Sequence, residues 1–210
     1  MKKSVAIVLC LALVFSMCLC GCSNEKKQVL GTWTTTIELA DQINEGIVGS
    51  DSEAAEYLTI DSFKLILNMT FHEDDTYSMK YDEAAATAEV DRIVDLVTDG
   101  MLKYLVDALA ELGMELTEEE ALEMTGITRE DLQAQFAGEL DVESLFANLN
   151  MEGQFKVEDG KMYLSDGLEY GVDETMYEFY SVEGNTLTID KGNTGDADTE
   201  FLYPMVFTKK

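Results

Sequence analysis

The chain is short of the side chains on which most enzyme chemistry is built. Its 210 residues include one histidine, His72, and four cysteines, none of them beyond Cys22. A Ser-His-Asp or Cys-His arrangement would have to use His72. That residue stands at a strand end beside Glu73 and Asp74, and it reads as a surface histidine. Zinc sites of the His/Cys type are excluded by the same inventory. No Gly-rich phosphate loop or dinucleotide fingerprint is present. The carboxylates number 42, so abundance removes their diagnostic value. The expectation is a protein with no catalytic residues, no metal and no cofactor, and not an enzyme.

Basic residues are scarce as well. Against those 42 Asp and Glu stand 14 Lys and Arg, for a net charge of −28. A body this acidic repels nucleic acid and anionic lipid head groups. It attracts cations, polyamines and basic peptides, although the acids also serve simply to keep an exposed protein soluble.

The four cysteines are Cys10, Cys18, Cys20 and Cys22. A basic tip (Lys2, Lys3) precedes an apolar run from Val5 to Leu19, too short for a comfortable transmembrane helix of about 20 residues. Length and flanks suit the apolar region of a secretory signal. The run ends in Leu19-Cys20-Gly21-Cys22, which resembles a bacterial lipoprotein signal. The resemblance implies cleavage before Cys22, with residues 1–21 as signal peptide and a diacylglyceryl group on the Cys22 thiol. It places the protein on the extracytoplasmic face of a cell membrane, held by lipid. Loss of Lys2 and Lys3 then takes the mature charge to −30, since no acid precedes Cys22. No disulfide is possible in the mature chain, so stability must come from a packed core. Residues 22–30 read as a polar, lipidated tether.

From Gly31 the apolar pattern has period two, as half-buried strands require. Trp33, Thr35 and Ile37 alternate with Thr34, Thr36 and Glu38. A short helix is expected near residues 39–48. Phe63, Leu65, Leu67, Met69 and Phe71 form a second strand, and Tyr77, Met79 and Tyr81 return as a third. From about 83 to 150 the period becomes helical, with Val90, Ile93, Val94, Val97, Met101, Leu105 and Leu112 at three- and four-residue steps. Gly113 ends that helix. Thr117 and Glu120 have capping-box spacing, Gly126 closes the second helix, and Thr128 and Asp141 cap a third and a fourth. Alternation then resumes. Asp159-Gly160 is a strong hairpin signal, and Glu183-Gly184-Asn185 marks another turn. Pro204, the one proline, argues that the last strand lies at an edge or bulges there.

The count is eight strands, mostly joined by short turns. The fold class is α+β, mainly β: an antiparallel eight-stranded meander barrel over residues 31–208, with an all-helical insertion between the third and fourth strands. Such a barrel holds packed side chains or one small ligand. Gly31-Thr32-Trp33 resembles the Gly-X-Trp signature on the first strand of the lipocalins. The wider layout, with Asp74-Asp75-Thr76-Tyr77 and two later hairpins, is similar to short lipocalin-like lipoproteins of the bacterial envelope. That resemblance implies a barrel whose Trp33 indole plugs one end.

Trp33, Phe71, Tyr77, Tyr81, Tyr163, Tyr177, Phe179 and Tyr203 are the candidate pocket or barrel-core residues, and the sequence leaves hollow and filled barrels both open. The loop at residues 190–200 alternates oxygen ligands but lacks EF-hand spacing, and it reads as solvated. Two functions follow. One is a non-catalytic lipocalin-like module for a small apolar or amphipathic ligand. The other is an acidic interaction, inhibitor or structural module that meets a basic protein through the helical insert.

Overall fold

A computed structural model describes residues 21–48, 56–140, 142–146, 149–194 and 202–210. The signal region 1–20, the Asp141 cap and the acidic stretch 195–200 lie outside these described residues. So does the Cys22 side chain, although its backbone belongs to the first helix. By compactness the chain divides into two units. One comprises residues up to Thr35, Asn68–Lys80 and Met151–Lys210, and the other Thr36–Leu67 and Tyr81–Asn150.

Eight strands close an antiparallel barrel in sequence order: β1 (Gly31–Glu38), β2 (Lys64–Phe71), β3 (Thr76–Tyr81), β4 (Met151–Glu158), β5 (Lys161–Leu164), β6 (Tyr177–Glu183), β7 (Thr186–Asn193) and β8 (Met205–Lys209). Closure is made where β1 meets β8, with Trp33 opposite Lys209 and Thr34 opposite Thr208. Every strand therefore has two neighbours, and no edge is left to template aggregation. Pro204 sits immediately before β8, not within it. The missing N–H is kept out of the ladder that way, so neither an edge nor a bulge is needed.

Register follows the hydrophobic alternation. Trp33, Met69, Phe71, Tyr77, Phe155, Val157, Met162, Leu187, Ile189 and Phe207 meet in one buried cluster with Val29. Trp33, Phe71, Met162, Leu187, Ile189 and Phe207 are each at most 2 % exposed, so the barrel interior is packed with side chains. The β4–β5 turn needs left-handed backbone at both central residues. Asp159 (φ 53°) and Gly160 (φ 71°) supply it, which is the type I′ requirement.

The stretch expected to be a tether is helical: α1 spans Gly21–Val29. Its Val29 is wholly buried in the barrel cluster. The Val29 carbonyl accepts the Trp33 indole N–H at 2.6 Å. Lys26 and Lys27 in the last turn suit the negative end of the helix dipole. Tertiary contact supplies what the polar sequence does not advertise.

The second unit is built on helices. After β1, α2 (Ala40–Val48) follows, and its Asn44 both donates to and accepts from the Ile60 backbone, at 2.8 and 2.9 Å. The 29-residue α3 (Glu83–Glu111) starts at an Asp82 cap that accepts from Ala85 N–H. It buries Val90, Ile93, Val94, Val97, Leu102 and Leu109. Three shorter helices come next: α4 (Glu118–Thr125), α5 (Arg129–Glu139) and α6 (Val142–Phe146). Capping boxes start α4 (Thr117 with Glu120) and α5 (Thr128 with Asp131). Gly126, at φ 72°, ends α4 in the left-handed conformation that favours glycine. Gly100 lets α3 run against the Tyr57 backbone, since a Cβ there would lie 2.0 Å from the Tyr57 carbonyl oxygen.

Candidate functional site

The eight aromatic residues expected to line or fill the barrel fall into three places. Trp33, Phe71 and Tyr77 belong to the buried barrel cluster, and Tyr203 packs against it. Phe71 sits between Tyr77 and Phe155, with ring centroids 6.3 and 4.9 Å away. Tyr81 lies in the helical unit, its ring 5.7 Å from that of Phe146.

Tyr163, Tyr177 and Phe179 stand on the outer face of the barrel. On β5, Met162 and Leu164 turn inward, so Tyr163 between them turns out. On β6, Tyr180 and Val182 pack on the core, which leaves Tyr177 and Phe179 with the opposite parity. The three rings form a ladder, Tyr163 to Tyr177 at 6.1 Å and Tyr177 to Phe179 at 5.3 Å, both edge-to-face. Lys156 lies over the Tyr163 ring at 5.6 Å and Lys161 over Tyr177 at 4.2 Å. Phe179 remains 45 % exposed. On the strand Lys161-Met-Tyr-Leu164 the charged Lys161 shares the parity of Tyr163, and this marks their common face as the outer one.

The parity that puts Phe179 outside puts Glu178 inside, opposite Met162. One carboxylate oxygen accepts the Tyr203 hydroxyl, and the other is buried without a hydrogen-bond partner. Burial raises the Glu178 pKa above the ordinary carboxylate value, and the Tyr203 bond only partly offsets that. Tyr77 is nearby in effect. Burial first, then the charges of Asp166 and Glu178, pushes its hydroxyl up to about 12. That hydroxyl donates to the Ser165 carbonyl at 3.1 Å. Glu178 is thus an inward acid bonded to one tyrosine, Tyr203. Its inward position was readable from Tyr180 and Val182, two and four residues on, which share its parity.

A recess of about 320 Å³ lies beside α1, lined by Lys26, Asp75, Phe155, Lys156 and Val157. Its two ammonium groups are already engaged. Lys26 pairs with Asp75 at 2.6 Å, and Lys156 pairs with Glu158 and Glu174 at 2.8 and 2.7 Å. The recess therefore has little positive charge left for an anion.

The helical unit carries the strongest charge asymmetry. Residues 83–150 hold 17 Asp and Glu but only Arg92, Lys103 and Arg129 as cations. Arg92 is paired with Glu89, and Arg129 with Asp99 across to α3. Lys103 lies over the Tyr57 ring at 5.6 Å. The exposed acids of this segment include Asp91, Glu111, Glu115, Glu118, Glu119, Glu123 and Glu130. Among the described residues no three His, Cys, Asp or Glu side chains gather as a metal site would require. No helix of the described residues is long and apolar enough to cross a membrane.

The chain matches no family model, no curated protein and no solved structure.

Proposed function

We propose that this is a lipid-anchored extracytoplasmic lipoprotein, held by a diacylglyceryl group on Cys22. It acts as a non-catalytic interaction module whose acidic helical segment receives a basic protein partner. The observation that carries the reading is the occupancy of charge on that segment. Its three cations are already engaged, while carboxylates stand exposed along α3, α4 and α5. Complementary charge of this kind speeds encounter and selects partners by sign. The packed barrel interior supports the same reading, because a filled barrel suits a scaffold.

In this proposal the barrel is a lipocalin-like meander, opened by Gly31-Thr32-Trp33 and interrupted between its third and fourth strands by the helical insert. A second reading, the binding of a small amphipathic ligand, rests on Glu178. An inward carboxylate with one unpartnered oxygen is the kind of group that fixes a ligand's orientation in an otherwise apolar site.

The deciding experiment is calorimetric titration with a defined Lys/Arg-rich peptide at rising NaCl. Binding is expected to weaken with salt. It should be lost when Glu115, Glu119, Glu123 and Glu130 become Gln, and kept when Glu73, Asp159, Glu169 and Glu183 on the barrel are neutralised instead. Equal loss from both variants would reduce the effect to bulk charge and end the proposal. For the anchor, Cys22→Ala should release the protein from membranes, and continued retention contradicts lipidation.

A further inference from the structure

We infer that α1 is a strut and not a tether: it holds the barrel with its α1 end against the bilayer, at a fixed tilt. The inference rests on the lipidation of Cys22. Its geometry comes from four polar contacts and one buried side chain. The Trp33 indole holds the Val29 carbonyl at 2.6 Å. Lys26 pairs with Asp75 at 2.6 Å and donates to the Glu73 carbonyl at 2.7 Å. The Tyr180 hydroxyl donates to Glu25 at 3.3 Å. Val29 is buried in the barrel cluster.

These contacts begin three residues after Cys22, and α1 already includes Cys22 in its backbone. Three helical residues rise only about 4.5 Å. A flexible eight-residue tether would instead wander over roughly 15 Å. The anchored end is therefore the barrel end that carries the turn at residues 72–75, which α1 touches, and the β4–β5 turn at Asp159-Gly160, which α1 reaches through Tyr180. That second turn is joined to β6 by the Tyr180 N–H to Gly160 carbonyl bond at 3.0 Å. Glu73, Asp74, Asp75 and Asp159 lie in these turns, with Lys26 and Lys27 on α1. Charges of both signs suit a zwitterionic head-group layer. The connection from Ser165 to Met176, which follows the far end of β5, points away from the membrane.

The chain beginning at Cys22 has that one cysteine, which makes a direct test available. The protein is coupled through Cys22 to a maleimide lipid in phosphatidylcholine vesicles. A dye is placed on an azido amino acid at residue 159 or 171, and energy transfer to an acceptor in the bilayer surface is read. Residue 159 is expected to transfer at least about twofold more strongly, since the barrel separates the two sites by roughly 20 Å along its strands. Inserting eight Gly-Ser residues between Cys22 and Ser23 keeps the contacts of Glu25, Lys26 and Val29 with the barrel and should bring the two signals together. Equal or reversed transfer in the uninserted chain overturns the inference, and so does transfer that ignores the insertion. Lipidation itself is read separately, by acyl labelling of Cys22 in the producing cell. The maleimide lipid supplies the anchor in either case, so the two failures are told apart.

Discussion

The indole of Trp33 and the carbonyl of Val29 are joined by a 2.6 Å hydrogen bond with both residues fully buried. The bond satisfies the one polar atom of the tryptophan and one of the last carbonyls of α1 at once. It also fixes how the chain enters the barrel. Lys209 completes the arrangement, its ammonium 4.9 Å from the Trp33 ring centre on the neighbouring strand.

Trp33→Phe removes that donor and part of a large buried side chain. The stranded carbonyl costs about 1–3 kcal/mol, and the lost volume adds to it. A urea unfolding midpoint should fall accordingly, and limited proteolysis should cut α1 before the barrel. A variant as stable as the parent would show that α1 is held by other contacts.

Backbone proximity separates two glycines of the helical unit. Gly100→Ala in α3 would place a Cβ 2.0 Å from the Tyr57 carbonyl, whereas Gly138→Ala in α5 would meet nothing within 4 Å. Helix propensity favours alanine by about 1 kcal/mol at either site, but overpacking against fixed backbone costs about 1–3 kcal/mol. Thermal melts should therefore show Gly100→Ala losing stability and Gly138→Ala gaining some.

Thr128→Ala tests the start of α5. The Thr128 hydroxyl accepts from the Asp131 N–H at 3.1 Å, and the Asp131 carboxylate holds the Thr128 N–H at 3.1 Å. Loss of such a cap costs about 1 kcal/mol. The contacts of α5 to α3 through Arg129–Asp99 and Gln133–Asp95 depend on that start. Hydrogen exchange should rise in α5 and leave β1–β8 unchanged.

Local chemistry explains which of these features the sequence shows and which it hides. The capping residues Thr117 and Thr128 and the turn Asp159-Gly160 are local signals, legible because the interacting groups lie within three residues of each other. Alternation over Leu65, Leu67, Met69 and Phe71 is equally plain, because each polar partner between them faces away. The start of α3 is legible in the change of period at about residue 83, although Ala84, Ala85, Ala86 and Ala88 favour helix without carrying an apolar stripe. Helix α1 is hidden: SNEKKQV has one apolar residue, and its conformation is decided by Trp33 and Asp75, distant partners. The outward turn of Tyr163, Tyr177 and Phe179 depends on a barrel interior already occupied by Trp33, Phe71 and Phe207. The local cues to it are slight: Lys161 shares the parity of Tyr163, and Tyr180 and Val182 take the face opposite to Tyr177 and Phe179.

The inward acid gives a prediction with a sign. Burial raises the Glu178 pKa in the folded protein above its unfolded value. At low pH both states carry the proton, and the group is neutral with respect to stability. As pH rises past the ordinary carboxylate value of 4.5 the unfolded chain releases its proton first, so stability falls. The fall continues until the folded-state pKa is passed, and then it levels off. Glu178→Gln abolishes this contribution. Its unfolding free energy, followed from pH 4 to 8, should decline less than that of the parent over the window just above 4.5. Glu38 runs the other way: bonds from Ser62 first, then from the Phe63 and Ala40 N–H groups, hold its pKa below 4.5. Glu38→Gln should therefore lose stability relative to the parent at neutral pH and match it more closely as the acid protonates. Parallel pH profiles for Glu178→Gln and the parent would mean that the buried carboxyl is solvated in the folded barrel after all.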